Sequence, residues 1–135
     1  MTIIFAIEDT LAADEFTDIL KRSGLEARRP VDKPDIIQGM VDNASLIVTA
    51  RDKDGRLLGV ARSLTDFAYC CYLSCLAVDR DCQHQGIGKE LIRRSKEASG
   101  GDKITLMLLS APDGMDYYPK VGLDTFDNCF GIRRS

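Results

Sequence analysis

The chain has 135 residues, 44% hydrophobic and 29% charged, which describes one globular domain able to bury a core without disulfide or metal staples. Lys plus Arg is 18 and Asp plus Glu is 21, so the formal charge is −3. That balance excludes a general nucleic-acid binder, and no apolar run approaches the ~20 residues a membrane span needs. Met1–Glu8 has no basic region and no small-residue cleavage site, so no signal peptide is expected. The five cysteines are Cys70, Cys71, Cys75, Cys82 and Cys129. An odd number without an export signal predicts reduced thiols in a cytoplasm. No C-x-x-C pair exists and His84 is the only histidine, so no metal site is expected.

In chain order, Thr2–Glu8 is β-branched and aromatic and predicts a strand. Thr10 is positioned to cap a helix from Leu11 to Ser23, with Ala12, Phe16, Ile19, Leu20 and Ser23 at helical spacing and Gly24 as its stop. Pro34 fits the first turn of a short helix carrying Ile37, Met40 and Val41 on one face. Leu46–Arg51 and Arg56–Ser63, joined by Asp52-Lys53-Asp54-Gly55, predict an antiparallel hairpin. Tyr69–Val78 predicts a long central strand. After a polar loop, Gly86–Ala98 predicts a helix with Ile87, Leu91, Ile92, Ser95 and Ala98 facing inward. Lys103–Leu109 predicts another strand, Met115–Val121 a helical turn, and Leu123–Phe126 with Cys129–Ile132 a last strand or hairpin. The strand–helix–strand from Tyr69 to Leu109 should form a right-handed parallel crossover. The fold class is therefore α/β, or α+β with a mixed sheet.

The stretch with chemical content is Leu76-Ala77-Val78-Asp79-Arg80-Asp81-Cys82-Gln83-His84-Gln85-Gly86-Ile87-Gly88-Lys89. It reads as a strand end, a loop, two glycines and a helix start. Unhindered N–H groups at a helix head, together with the helix dipole, suit a phosphate, and Gly86 and Gly88 admit it close to the main chain. A Walker A loop does not fit, because one residue separates Gly86 from Gly88 and Glu90 follows Lys89. A dinucleotide fingerprint does not fit, because Leu91 stands where the third glycine belongs.

Gln83-His84-Gln85-Gly86-Ile87-Gly88 does fit Gln/Arg-x-x-Gly-x-Gly/Ala. With the preceding strand and following helix, the chain resembles the GNAT superfamily of acetyl-CoA-dependent N-acetyltransferases from its first strand to its end. Tyr117-Tyr118-Pro119-Lys120-Val121-Gly122-Leu123 is similar to that family's Phe-Tyr-x-x-x-Gly-Phe segment, with two aromatic positions changed. The resemblance implies one N-acetyltransferase domain over residues 1–135, with splayed central parallel strands. It implies that Leu76, Ala77 and Val78 pair with the pantetheine arm, and that an N–H near Leu76 polarises the thioester carbonyl. Gln83, His84, Gln85, Gly86, Ile87, Gly88 and Lys89 would cradle the diphosphate. Tyr118 would protonate the leaving thiolate. The acceptor would be a primary amine of a small molecule or peptide, and the assembly a homodimer.

One departure from the family stands out. Relatives often carry a carboxylate on the central strand to deprotonate the amine, and here that strand reads Cys70-Cys71-Tyr72-Leu73-Ser74-Cys75. The base is left unassigned, with Asp66 and Glu26 as candidates. A nucleophilic Cys71 or Cys75 has no histidine placed to activate it. Lys89, Arg93, Arg94 and Lys96 read first as a solvated helix face and second as a contact for the 3′-phosphate of CoA. The rival to an enzyme is a non-catalytic acyl-CoA-binding sensor or adaptor with the same fold.

Overall fold

Five strands with apolar residues on both faces hydrogen-bond in simple chain order in the computed structural model, which describes residues 1–135. They are β1 (Ile4–Ile7), β2 (Leu46–Arg51), β3 (Leu57–Thr65), β4 (Cys70–Val78) and β5 (Thr105–Met107). The first four are antiparallel to their neighbours, and β5 lies parallel to β4, as a crossover through a helix requires.

Helices cover both faces of the sheet. On one face, α1 (Ala13–Ser23) and α2 (Pro34–Asp42) bury Phe16, Ile19, Leu20, Ile37 and Val41 against Leu57, Val60, Cys75 and Ala77. On the other, α3 (Ile87–Ser99) buries Ile87, Leu91 and Ile92 against Val48, Leu58, Ala61 and Leu73. Each such side chain contributes about 1.5–3 kcal/mol. Gly59 lets α3 sit close to the sheet: a Cβ there would lie 3.2 Å from side-chain atoms of both Ile87 and Leu91. The last helix, α4 (Tyr117–Lys120), is a single turn after Pro112–Gly114.

The end of β4 is pinned by Asp79, which is 3% exposed. Its carboxylate accepts from the Arg22 guanidinium of α1 at 2.6 Å and from the Asp81 N–H at 2.8 Å, and Arg56 lies 3.5 Å away. Burial pushes this carboxyl up, but the Asp81 N–H and Arg22 outweigh it and hold it below the ordinary range.

Three sequence expectations are corrected. The first helix starts at Ala13 with Ala12 as its cap and no side-chain capping bond, so Thr10 does not serve. The strand expected over Lys103–Leu109 is only three residues long. The last strand or hairpin expected at Leu123–Phe126 and Cys129–Ile132 does not form. Gly122 turns the chain at φ 97°, and Phe130 and Ile132 then stand almost wholly in solvent with no strand to pair with.

Candidate active site

Where β4 and β5 part company, the sheet opens. They pair only from Cys70↔Thr105 to Tyr72↔Met107, so Leu73–Val78 have no neighbour on that edge. A bulge lies at the point of departure. Arg62 of β3 faces Cys75 and Ser63 faces Leu73, which leaves Ser74 without a partner. The Asp79 N–H bonds the Leu58 carbonyl at 2.9 Å, which fixes the phase of the ladder beyond the bulge. Ala77 therefore directs its N–H and C=O to Val60 of β3, while Leu76 and Val78 direct theirs into the gap. Of the three residues expected to pair with an extended ligand, two offer main-chain groups and Ala77 serves as buried support.

The head of α3 abuts this edge. Gly86 is the cap residue at φ 79°, and the first intrahelical bond runs from Glu90 N–H to Gly86 O. The N–H groups of Ile87, Gly88 and Lys89 thus have no carbonyl inside the helix, and no side chain caps them. His84 is also left-handed, at φ 65°, and Gln83 ties the loop to the strand by donating to the Val78 carbonyl at 3.3 Å. Gly88 faces the gap: a Cβ on it would come within 2.5 Å of the Tyr117 hydroxyl and 3.8 Å of Val78 Cγ2. This head satisfies the chemical requirement for a diphosphate, with free donors, dipole and absent Cβ in one place.

Two tyrosines close the site from α4, their rings edge to face at 5.2 Å. Tyr117 covers Gly88 with its hydroxyl end. Tyr118 packs on the apolar layer under α3, and burial pushes its phenol above the ordinary tyrosine value, with Tyr117 adding to the rise. Arg29 acts in the opposite direction on the same phenol and Asp113 reinforces the rise, so charges of both signs reach it. A groove of about 700 Å³ runs from Gly86 and Lys89 past Tyr118 along β5 to Cys129. Of the candidate site residues only Gly86, Lys89 and Tyr118 line it.

The opposite side of the gap was not legible in the sequence. Arg29, from the turn after α1, donates from Nε to Cys75 Sγ at 3.1 Å and from Nη2 to the Ser74 carbonyl at 2.7 Å. Arg62 of β3 donates to Ser74 Oγ at 2.9 Å and to the Met40 carbonyl of α2 at 3.2 Å. The only available signal was a charged residue at an inward position of the otherwise apolar run Leu57–Ser63. Asp66 is taken up in its own loop. One carboxylate oxygen accepts from the N–H groups of Ala68, Tyr69 and Cys70 at 2.8–3.1 Å, and these bonds lower its pKa. It is a loop staple rather than a poised base. Glu26 is exposed on the turn Leu25–Arg28. On α3, Arg93 and Arg94 both bond Glu90, whose pKa falls to about 2 under Arg93 first, and Lys96 caps the Gly101 and Ile104 carbonyls. Lys89 alone of that basic run lines the groove. No group of three or more His, Cys, Asp or Glu side chains could hold a metal ion, and no helix is long and apolar enough to cross a membrane.

An opened parallel pair, a bulge and a glycine-bearing helix head make up the frame of an acyltransferase. The chain belongs to the acetyltransferase (GNAT) family, whose model matches residues 13–122. Solved structures share the fold across nearly the whole chain. A GNAT-family acetyltransferase of Streptococcus pneumoniae TIGR4 is 16% identical with a TM-score of 0.75, covering 99% of this chain and 98% of that one. The ribosomal-protein-alanine N-acetyltransferase of Brucella melitensis is 23% identical with a TM-score of 0.69, covering 98% and 100%. An aminoglycoside acetyltransferase from an uncultured soil metagenomic sample, solved with sisomicin, is 17% identical with a TM-score of 0.67, covering 97% and 95%. The sequence matches no curated protein.

Proposed function

We propose that the protein transfers the acetyl group of acetyl-CoA to a primary amine of a small molecule or peptide. The observation that carries this is the open β4 edge, with Leu76 and Val78 presenting main-chain groups beside the uncapped head of α3. Coenzyme A supplies an activated acyl thioester when bound. The N–H groups of Ile87, Gly88 and Lys89 bind its diphosphate, with the Gln83–Gln85 loop as the rim. The edge of β4 holds the pantetheine arm as an added strand. The Leu76 N–H polarises the thioester carbonyl, and Tyr118, kept protonated by burial, gives its proton to the departing thiolate. Holding amine and thioester side by side supplies much of the acceleration, and no covalent enzyme intermediate is needed.

The amine must reach the gap uncharged, and β4 itself carries no carboxylate to deprotonate it. That absence favours the second reading, an acyl-CoA-binding sensor or adaptor. The two separate in a thiol-release assay with acetyl-CoA and an amine panel. Turnover supports the enzyme; CoA binding without turnover across the panel supports the sensor. Absence of CoA binding overturns both. The reading also includes a cytoplasmic homodimer, which sedimentation would test through the mass in solution.

A further inference from the structure

The chain contains eleven arginines, and those not fully exposed fall into two groups. Arg22, Arg51 and Arg94 each engage carboxylates, Asp18 with Asp79, Glu8 with Glu15, and Glu90. Arg29 and Arg62 engage none. Their bonds go to carbonyls, a hydroxyl and a thiol, all neutral. Arg62 is 7% exposed, and its Nε is buried with no partner at all. Arg28, Arg80, Arg133 and Arg134 also lack partners, but they are exposed, where water serves. In a chain with more acids than bases, two cations converge on Ser74, at the bulge where the strands separate.

A guanidinium withdrawn from water without a counter-ion is costly and is tolerated where an anion arrives to offset it. Arg29 has the means to receive one. It is half-buried, and three of its five N–H donors are used by Cys75, Arg28 and Ser74. The two that remain can grip a carboxylate or phosphate. Arg62 lies behind it on the same serine and adds positive charge. The bonds to Cys75 and Ser74, at the bulge end of the open edge, separate this pair from the helix head that serves the diphosphate.

We infer that the amine acceptor carries an anionic group, a carboxylate or a phosphate, which Arg29 receives at the β4 bulge with Arg62 behind it. This rests on the acetyl-transfer reading above. It also excludes a class: polyamines and lysine-rich segments would meet two like charges. The same positive charge disfavours the ammonium form of an amine held nearby, which matters beside a strand that carries no carboxylate.

The test measures binding of acetylated products, so that it does not depend on turnover. CoA-loaded protein is titrated, with ligand-observed NMR, against N-acetylglycine, N-acetyl-2-aminoethyl phosphate, N-acetylethanolamine and N-acetylputrescine. The expected result is at least a tenfold preference for one or both anionic probes over the neutral and cationic ones. Comparing the first two probes decides between carboxylate and phosphate. Arg29→Gln should abolish the preference while CoA affinity and melting temperature stay near wild type, and Arg29→Lys should restore part of it. No preference in the wild type, or an equal preference in Arg29→Gln, overturns the inference. If Arg29→Gln fails to fold, the wild-type probe series alone decides. Equal acetylation of neutral, cationic and anionic amines would sink this inference and leave acetyl transfer standing. Arg29-dependent binding of an anionic probe with no turnover on any amine would overturn acetyl transfer, and with it the acceptor, while leaving an anion site at the bulge.

Discussion

Gly86 and Gly88 sit two residues apart, yet alanine at each should have opposite consequences. Gly86 is left-handed at φ 79°, and a Cβ there meets nothing within 4 Å. Alanine therefore pays for conformation alone, about 1–2 kcal/mol. For a domain of this size that lowers the melting temperature by about 4–8 °C. Its added methyl meets no atom of the chain and leaves the N–H groups of Ile87, Gly88 and Lys89 in place, so CoA affinity should change by no more than about threefold. Gly88 is helical, where alanine is favoured over glycine by about 1 kcal/mol. Its Cβ would lie 2.5 Å from the Tyr117 hydroxyl, and Tyr117 is 37% exposed at the end of a flexible side chain, so the ring can yield. The melting temperature should then shift little. The methyl, however, projects between the helix head and Val78, where the diphosphate needs the main chain bare. Loss of one charge-assisted hydrogen bond, about 1.5–3 kcal/mol, weakens CoA by about 10- to 100-fold. Calorimetric titration with CoA and thermal melts of both variants check this. Gly88→Ala binding CoA like the wild type, with Gly86→Ala losing it, would refute the placement of the diphosphate.

Tyr118→Phe should lower kcat by about 100-fold with the KM for acetyl-CoA nearly unchanged, because only the departing thiolate needs the hydroxyl. Burial raises the Tyr118 pKa, so the active, protonated form persists through pH 10 and the alkaline fall of kcat should begin above that value; an alkaline limb unchanged in the phenylalanine variant would exclude the role. Asp66→Asn should leave turnover within about twofold, since the carboxylate bonds only its own loop; a large drop would reinstate it as the base. Asp79→Asn should cost about 3 kcal/mol and roughly 10 °C in melting temperature, through the broken pairing with Arg22. The folded pKa of Asp79 lies below its unfolded value, so its contribution is complete above the ordinary carboxylate range and fades as pH falls through the lowered value. The difference between wild type and variant should therefore shrink in acid, and a constant difference down to pH 2 would count against it.

Element order and both helix-covered faces were legible because the period of apolar residues reports burial directly. Phe16, Ile19 and Leu20 at helical spacing, and the apolar runs of β2 to β4, leave little choice. The helix head was legible for a different reason: two glycines at the junction of a polar loop and an amphipathic helix state a backbone requirement in the sequence itself. What failed was whatever depends on a partner distant in the chain. Cys129–Ile132 has strand composition, but a strand exists only where another edge accepts it. The Arg29–Ser74–Arg62 arrangement joins three elements, and nothing local to any of them announces it.

The missing carboxylate and the two unmatched arginines are connected by electrostatics. A carboxylate base in the gap would pair with Arg29 and Arg62, and its pKa would fall too far for it to take a proton from an ammonium. A site built around cations instead holds the acceptor by its anionic group and favours the uncharged form of the amine. The amine's proton then leaves to water before attack. On this account a carboxylate added to β4, as in Ser74→Glu, should not accelerate transfer. It should pair with the arginines, compete with the acceptor's own anion and raise the acceptor KM. A faster Ser74→Glu variant would show that the gap lacks a base for want of a residue and not because its charge is reserved for the substrate.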